Sequence, residues 1–436
     1  MAQQKILLTI LPVFYPMMPP LGLSYLESFL IEKGIHADIL DINNIFYNLA
    51  SGSLKKDWSI SCNSALEKNI LSLLEKDFPE KFDDVINKLL SCDIIGFSCF
   101  KSNFSSTIKI IKFIRSKKPL TKIILGGPEI ARLFFKYNGS FPEEIKNLVD
   151  HIVVGEGELS LFDLIKGPDN ATNETSCFKE LKCLDDASFP KYRSIDISSY
   201  PKKTISLLLS RGCIKKCSFC SERLLYKRFR ARSIESLMDE VEYHKLHNKI
   251  ARNFVFNDSM INADLGKLDG LSEEIIRNFR SIPWEAQICI RKDMPKELFE
   301  KIKKSGCYNL FVGLESGCDR TLLNMNKGFT TSDAVIFFKD LQDAGLRFGI
   351  SMITGYPGET EKDFEESLEF LIKNKTLIPK IEQINPFTYY EGTPLKKSSG
   401  NSTNGIAIKR YEYFVSEIKR HGFKYTNAFL GNLIEK

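Results

Sequence analysis

Three of the chain's eleven cysteines fall within one short run, Cys213-Ile214-Lys215-Lys216-Cys217-Ser218-Phe219-Cys220, a C-x3-C-x2-C spacing. Thiolates are strong ligands for soft metals, so three on one segment suit an iron–sulfur cluster or zinc. A 4Fe-4S cubane has four irons to ligate, and a triplet leaves one of them open to a small molecule. Two other readings use the same residues. Positions i, i+4 and i+7 also share one helix face, so the three could be buried structural cysteines. Zinc would need a fourth ligand, for which His244 or His247 is available.

The elements that position the triplet are legible around it. Residues 204–209 form an apolar run of the kind that makes a buried parallel strand. Gly212 interrupts it, so the thiols belong on the loop beyond the strand's carboxyl end, where α/β folds keep their ligands. Residues 253–256, 284–290, 310–314, 348–353 and 381–387 read as five more strands, alternating with helical segments at 233–247, 271–280, 296–304, 331–344 and 361–373. At the strand ends stand Asp258, Arg291, Glu315-Ser316-Gly317 and the run from Gly355 to Thr360. Asp258 and Arg291 could equally form a structural salt bridge. The basic run 226–232 is either a solvated approach to a helix or a source of Arg230 or Arg232 for anionic groups.

Ahead of the thiols, residues 1–166 alternate strand and helix, with strands at 5–11, 38–42, 93–100, 122–125 and 151–154. That pattern predicts an α/β doubly wound parallel sheet of flavodoxin-like order, with a helical insertion between 46 and 90. Its ligand loops would be 12–20, Ser98-Cys99-Phe100, Gly126-Gly127 and Gly155-Glu156-Gly157-Glu158. No G-x-G-x-x-G follows the first strand, which disfavours a dinucleotide; a purely structural Rossmann-like domain is the plainer alternative. Residues 167–200 read as a polar, turn-rich linker, 201–395 as the second domain, and 396–436 as a tail with one helix near 408–419.

Composition narrows the class. With 43% apolar residues a sizeable core is available, and an excess of six basic over acidic residues is too slight to argue for nucleic acid. No apolar run approaches the roughly 20 residues of a membrane span, and the start has no signal-peptide layout. The other cysteines are scattered and the total is odd, as expected of reduced thiols in a cytoplasmic protein.

The triplet, with Phe219 just before its last cysteine, resembles the motif of the radical S-adenosylmethionine (radical SAM) superfamily. The resemblance implies that Cys213, Cys217 and Cys220 hold a 4Fe-4S cluster whose fourth iron binds the amino and carboxylate groups of S-adenosyl-L-methionine (SAM), with Phe219 near the adenine. It further implies Glu315 and Ser316 beside the amino or ribose groups, Arg291 as a candidate for the carboxylate, and Gly355 on a strand whose backbone brackets adenine. The six strands would form a partial (β/α)6 barrel. The first domain resembles the cobalamin-binding domains that precede many radical SAM domains, through Ser98 on the third strand, Gly126-Gly127 beyond an intervening stretch of 25 residues (101–125), and the segment holding Glu156. Phe100 departs from that group's S-x-L pattern. The histidine motif that ligates cobalt in the wider group is missing, since the first histidine is His36; this favours four-coordinate Co(I), a nucleophile suited to repeated methylation.

Together these imply a methyltransferase moving a methyl group from SAM, via methylcobalamin, to an unactivated carbon or a phosphorus. The substrate would be a small molecule or a peptide, and the electron donor a flavodoxin or ferredoxin. A rearrangement or cyclisation catalyst with the same cofactors is the alternative, and an iron–sulfur redox sensor the next. The short tail and the lack of a second cysteine motif argue against a methylthiotransferase acting on RNA.

Overall fold

The computed structural model describes residues 4–59, 64–167, 174–395 and 403–426. Its first half is built on a parallel sheet of Ile6–Ile10 (β1), Ala37–Asp41 (β2), Ile94–Ser98 (β3), Lys122–Gly126 (β4), His151–Val154 (β5) and Glu174–Cys177 (β6), in the order β2-β1-β3-β4-β5-β6. The five expected strands are present in flavodoxin-like order, and the inner ones are buried along almost their whole length. Apolar cores cover both faces, one around Leu11, Phe46, Trp58 and Ile111, the other around Leu8, Leu23, Leu30 and Ile124. The insertion between β2 and β3 comprises the helices Ile42–Leu49, Gly52–Ser59, Ser64–Asp77 and Pro79–Leu90.

The sixth strand corrects the sequence reading. Glu174–Cys177 falls in the stretch read as linker, yet it pairs in parallel with β5. It is a polar sheet edge, so it shows none of the apolar continuity that marks a strand buried on both faces. Residues 168–173, the rest of the polar run, lie outside the described residues.

The second half carries the six parallel strands expected of it: Thr204–Leu207 (β7), then, after the short antiparallel pair Ser210–Arg211 (β8) and Arg230–Ala231 (β9), Asn253–Phe256 (β10), Trp284–Ile288 (β11), Cys307–Glu315 (β12), Phe348–Thr354 (β13) and Ile381–Pro386 (β14). The order β14-β13-β12-β11-β10-β7 follows the chain, so each crossover reaches the next strand, and the sheet is an open barrel. The helix near the end runs over Thr403–Arg420 and lies against β13 and β14, so this segment packs as part of the barrel unit. Among the described residues no helix is long and apolar enough to cross a membrane.

Candidate active site

The thiol loop leaves the barrel between β8 and β9, which pin its two ends together. Gly212 turns the chain at φ +82°, and a Cβ there would meet the Arg228 carbonyl oxygen at 2.7 Å, so glycine is required for the crossing. The loop is bracketed from several sides. Ser218 N–H donates to Met325 O at 3.0 Å, its hydroxyl meets that of Tyr356 at 2.7 Å, Asn326 Nδ2 donates to Lys216 O at 2.8 Å, and Leu395 N–H donates to Ser218 O at 3.0 Å. Cys213, Cys217 and Cys220 are half-buried and free. Burial raises all three thiols, Cys220 to about 11, so a bound cation is what would hold them as thiolates.

Their spacing separates two metal readings. Among the described residues, only Cys318, Asp363 and Glu366 bring three ligand atoms within 4.8 Å of one another. The three loop sulfurs are therefore spread more widely than tetrahedral zinc needs, which at about 2.3 Å per Zn–S bond holds thiolates roughly 3.8 Å apart. His244 is packed against Phe189, Tyr192 and Tyr243 and bonded to Asn248, and His247 lies 4.5 Å from the Tyr243 ring, so both imidazoles belong to an aromatic cluster. The Cys318 trio is occupied otherwise, since Asp363 caps its helix at Thr360 and pairs with Arg320.

Facing the loop, β12 ends on Glu315, whose φ of +75° is unusual for a side-chain-bearing residue. The register against β13 slips between Gly313 and Glu315, so the bulge re-aims this carboxylate. Such a conformation costs about 1–3 kcal/mol and is tolerated chiefly where the placement of a side chain matters. Lys327 lies 3.6 Å from Glu315, with its ammonium 6.0 Å from the Phe219 ring centroid. Burial opposes its charge, but Glu315 and the thiols of Cys289, Cys217 and Cys220 outweigh that and raise its pKa. Lys327 was not foreseen, because a lysine before a turn glycine carries no signal in sequence. Phe219 packs with Tyr356, Met325 and Phe387 in a small apolar cluster beside this pair.

Several expected ligands turn out to have protein partners. Arg291 donates from Nε and Nη2 to Asp293, and from Nη1 to the carbonyls of Asn262 at 2.7 Å and Ala263 at 2.8 Å; of its two readings the structural ion pair is the one observed. Arg230 pairs with Glu156 and Arg232 with Glu240, which corrects the expectation that either is free for an outside anion. Ser316 is buried, its hydroxyl 2.8 Å from that of Ser367. Gly355, at φ +72°, leaves room for the tail helix, since a Cβ would stand 2.4 Å from Ala407 Cα.

Asp258 accepts from Leu209 N–H at 3.0 Å and Ser210 Oγ at 2.5 Å, fixing the strand end that launches the thiol loop. Burial pushes its pKa up to about 6, and does the same to Asp41. A carboxyl raised above its unfolded value of about 3.9 binds more protons folded than unfolded, so each group lowers stability as pH rises from about 4 to about 6. Asp258→Asn should remove part of that slope, worth about 2–3 kcal/mol by the same linkage. Denaturation midpoints at about pH 4.5 and about pH 7 check it: the wild-type difference should shrink in the variant.

A cavity of about 490 Å³ opens between the two halves. One wall is made by the carboxyl ends of β1, β3, β4 and β5, and includes Ser98, Gly126, Gly127 and the Gly155–Glu158 segment; the other is made by Ser206, Leu208, Arg211, Tyr226 and Asn257. Gly127, at φ +103°, admits no side chain, because a Cβ would fall 2.6 Å from Cys99 backbone atoms. Arg211 stands at the junction. It donates to Glu158 at 2.6 Å, lies 3.5 Å from Glu156 and covers the Tyr25 ring at 4.8 Å. Arg230 adds the Leu181 carbonyl at 2.6 Å to its pairing with Glu156. Glu156 thus lines the cavity with its carboxylate already held by two arginines. On another side Arg132 reaches Glu391 at 2.8 Å, next to Gly392, whose Cβ would come within 2.6 Å of Phe135.

These features agree with what comparison with known proteins finds. Residues 207–371 match the model of the Radical SAM superfamily. An uncharacterized methyltransferase of Pyrococcus horikoshii is 24% identical over 402 residues, covering 86% of this chain and 77% of the relative. The radical SAM methyltransferase TsrM of Kitasatospora setae, solved with cobalamin and a [4Fe-4S] cluster, superposes with a TM-score of 0.65 at 15% identity, over 90% of this chain and 77% of that one. The cobalamin-dependent radical SAM enzyme OxsB, solved with aqua-cobalamin and SAM, gives 0.65 at 17% identity, over 96% of this chain and 56% of that one. At these identities the likeness establishes the two-domain fold.

Proposed function

We propose that this chain, a member of the radical SAM superfamily through residues 207–371, is a cobalamin-dependent methyltransferase that transfers methyl from SAM to an unactivated carbon or a phosphorus. One observation carries the reading: Arg211, which walls the glycine-lined cavity, is two residues from Cys213, so the two cofactor sites adjoin. The residues fit both groups. Three thiols on one loop suit a cluster with one open iron. The cavity's apolar wall, with glycine backbone at Gly96, Gly126, Gly127, Gly155 and Gly157, suits a large flat ring that needs close backbone approach. When bound, the cluster supplies the electron that cleaves one SAM and cobalamin carries the methyl group of another.

The chain's own residues hold, orient and shield. Cys213, Cys217 and Cys220 would ligate the cluster. Lys327 is placed to hold the SAM carboxylate as a buried cation, with Glu315 for the amino or ribose groups. Phe219 and Tyr356 would cover the adenine. Among the described residues that line the cavity none is a histidine. The relative named a methyltransferase and the TsrM likeness support methyl transfer over rearrangement.

Incubation with SAM, cobalamin, a reductant and a library of small molecules and peptides tests this. A productive substrate should yield S-adenosylhomocysteine and 5′-deoxyadenosine in roughly equal amounts, since each cofactor consumes its own SAM. Deoxyadenosine alone, with no gain of a methyl mass, would move the reading to rearrangement or cyclisation.

A further inference from the structure

The barrel's wall of the interdomain cavity carries polar side chains that the fold does not use. Asn257, just beyond β10, and Tyr226, just beyond the thiols, both line the cavity. Among the described residues, neither the Asn257 amide nor the Tyr226 hydroxyl has a hydrogen-bonding partner. Glu222 stands between these two and the thiol loop. Its backbone N–H donates to the Cys220 sulfur, and its carbonyl accepts from Tyr226 N–H at 3.4 Å. Its carboxylate accepts from the hydroxyl of Ser259, two residues beyond Asn257. A substrate has to lie on this stretch of the wall to meet both cofactor sites.

Charge sets this carboxylate apart. Glu156, Glu158 and Glu180 at the same junction each pair with an arginine, and Glu315 pairs with Lys327. Glu222 is half-buried and, among the described residues, has no lysine or arginine within ion-pairing distance. One serine hydroxyl does not replace the hydration such a carboxylate gives up, so folding gives no account of it. A ligand that brings its own cation does, because a charge-assisted N–H···O bond is among the strongest a site can offer. The amide oxygen of Asn257 and the phenol oxygen of Tyr226 are further acceptors for the same nitrogen. We propose that Glu222 determines substrate specificity by binding a protonated amine carried by the molecule to be methylated. The inference rests on the function proposed above and adds the chemical class of its substrate.

The test uses the full chain, reconstituted with iron, sulfide and cobalamin and supplied with SAM. The probe is a library of primary amines, each paired with its uncharged N-acetyl derivative and with the carboxylic acid of the same skeleton; bound members are read by mass spectrometry. The wild type should retain amines over their N-acetyl partners by on the order of tenfold to a hundredfold. Glu222→Gln, which keeps the shape and removes the charge, should abolish that preference, and Glu222→Lys should turn it toward the carboxylic acids. Iron content and SAM affinity in Glu222→Gln should stay at wild-type values, which a merely structural role for the carboxylate would not allow. Because Glu222 adjoins a cluster ligand, Asn257→Leu serves as a variant outside the loop and should lower amine retention in the same sense. A wild type that retains no amine, or retains amines and N-acetyl partners equally, would overturn the assignment. So would a preference that survives in Glu222→Gln, or a loss of SAM affinity there with the preference intact, which would give the carboxylate to SAM. Retained amines that yield neither S-adenosylhomocysteine nor a methylated product would instead sink the proposed function, and the binding arm, which needs no turnover, would still report on Glu222.

Discussion

Cys217→Ala should leave the reconstituted chain with little or no 4Fe-4S absorbance, whereas Cys177→Ala should retain all of it. The contrast follows from position. Cys217 is the middle thiol of a loop pinned at both ends by β8 and β9 and held by Met325, Asn326, Tyr356 and Leu395. Cys177 is exposed on the edge strand β6. A cluster held by three thiolates has no ligand in reserve on the loop. Cys213→Ala and Cys220→Ala should behave in the same way, with loss of more than nine-tenths of the bound iron on the order of the tenfold that removing a ligand's supporting partner alone can cost. Iron and sulfide analysis after anaerobic reconstitution, with the absorption spectrum, gives the result. A full cluster in Cys217→Ala would remove the ligand assignment, and with it the reading of Lys327 and Glu315 as holders of SAM.

The second large effect is expected at the domain junction. Arg211→Met would strand Glu158, a buried carboxylate whose pKa is held down by that guanidinium against the opposing pull of burial. Breaking one partner from a buried pair costs about 3–5 kcal/mol, because the remaining charge has nowhere to go. The variant should therefore lose several degrees in Tm. The double variant Arg211→Met/Glu158→Leu should recover most of that loss, since exchanging both partners for apolar groups removes the stranded charge. Differential scanning calorimetry on the four members of the cycle measures the coupling. Equal destabilisation in the single and double variants would show that Arg211 acts through its packing on Tyr25 and not through the ion pair.

Much of this architecture is legible in the sequence, for reasons that can be named. The inner strands are buried on both faces and so appear as unbroken apolar runs, as in Ile94–Ser98 and His151–Val154. The thiol triplet stands out because ligand spacing within one loop is local. What escapes is what depends on partners distant in the chain. Lys327 gains meaning only from Glu315 and the thiols, and Arg211 only from Glu158 across the junction. Arg291 carries the right chemistry for a carboxylate, yet Asp293, two residues on, claims it. Strand β6 is polar because it lies on an edge, the one place in a parallel sheet where apolar continuity is not demanded.

The segment after β14 has a consequence for how the protein behaves outside its active state. Ile381 donates to Lys424 O at 2.8 Å and accepts from Thr426 N–H at 3.2 Å, so the backbone beyond the tail helix bridges β14 at its first residue. The open barrel ends on that strand, and an unpaired strand edge is a template for another chain. The tail occupies that edge at Ile381, with its helix packed against β13 and β14. A chain stopped before Thr403 would keep every proposed ligand yet present a bare sheet edge, and its failure would show as aggregation during expression before any defect in chemistry could be measured.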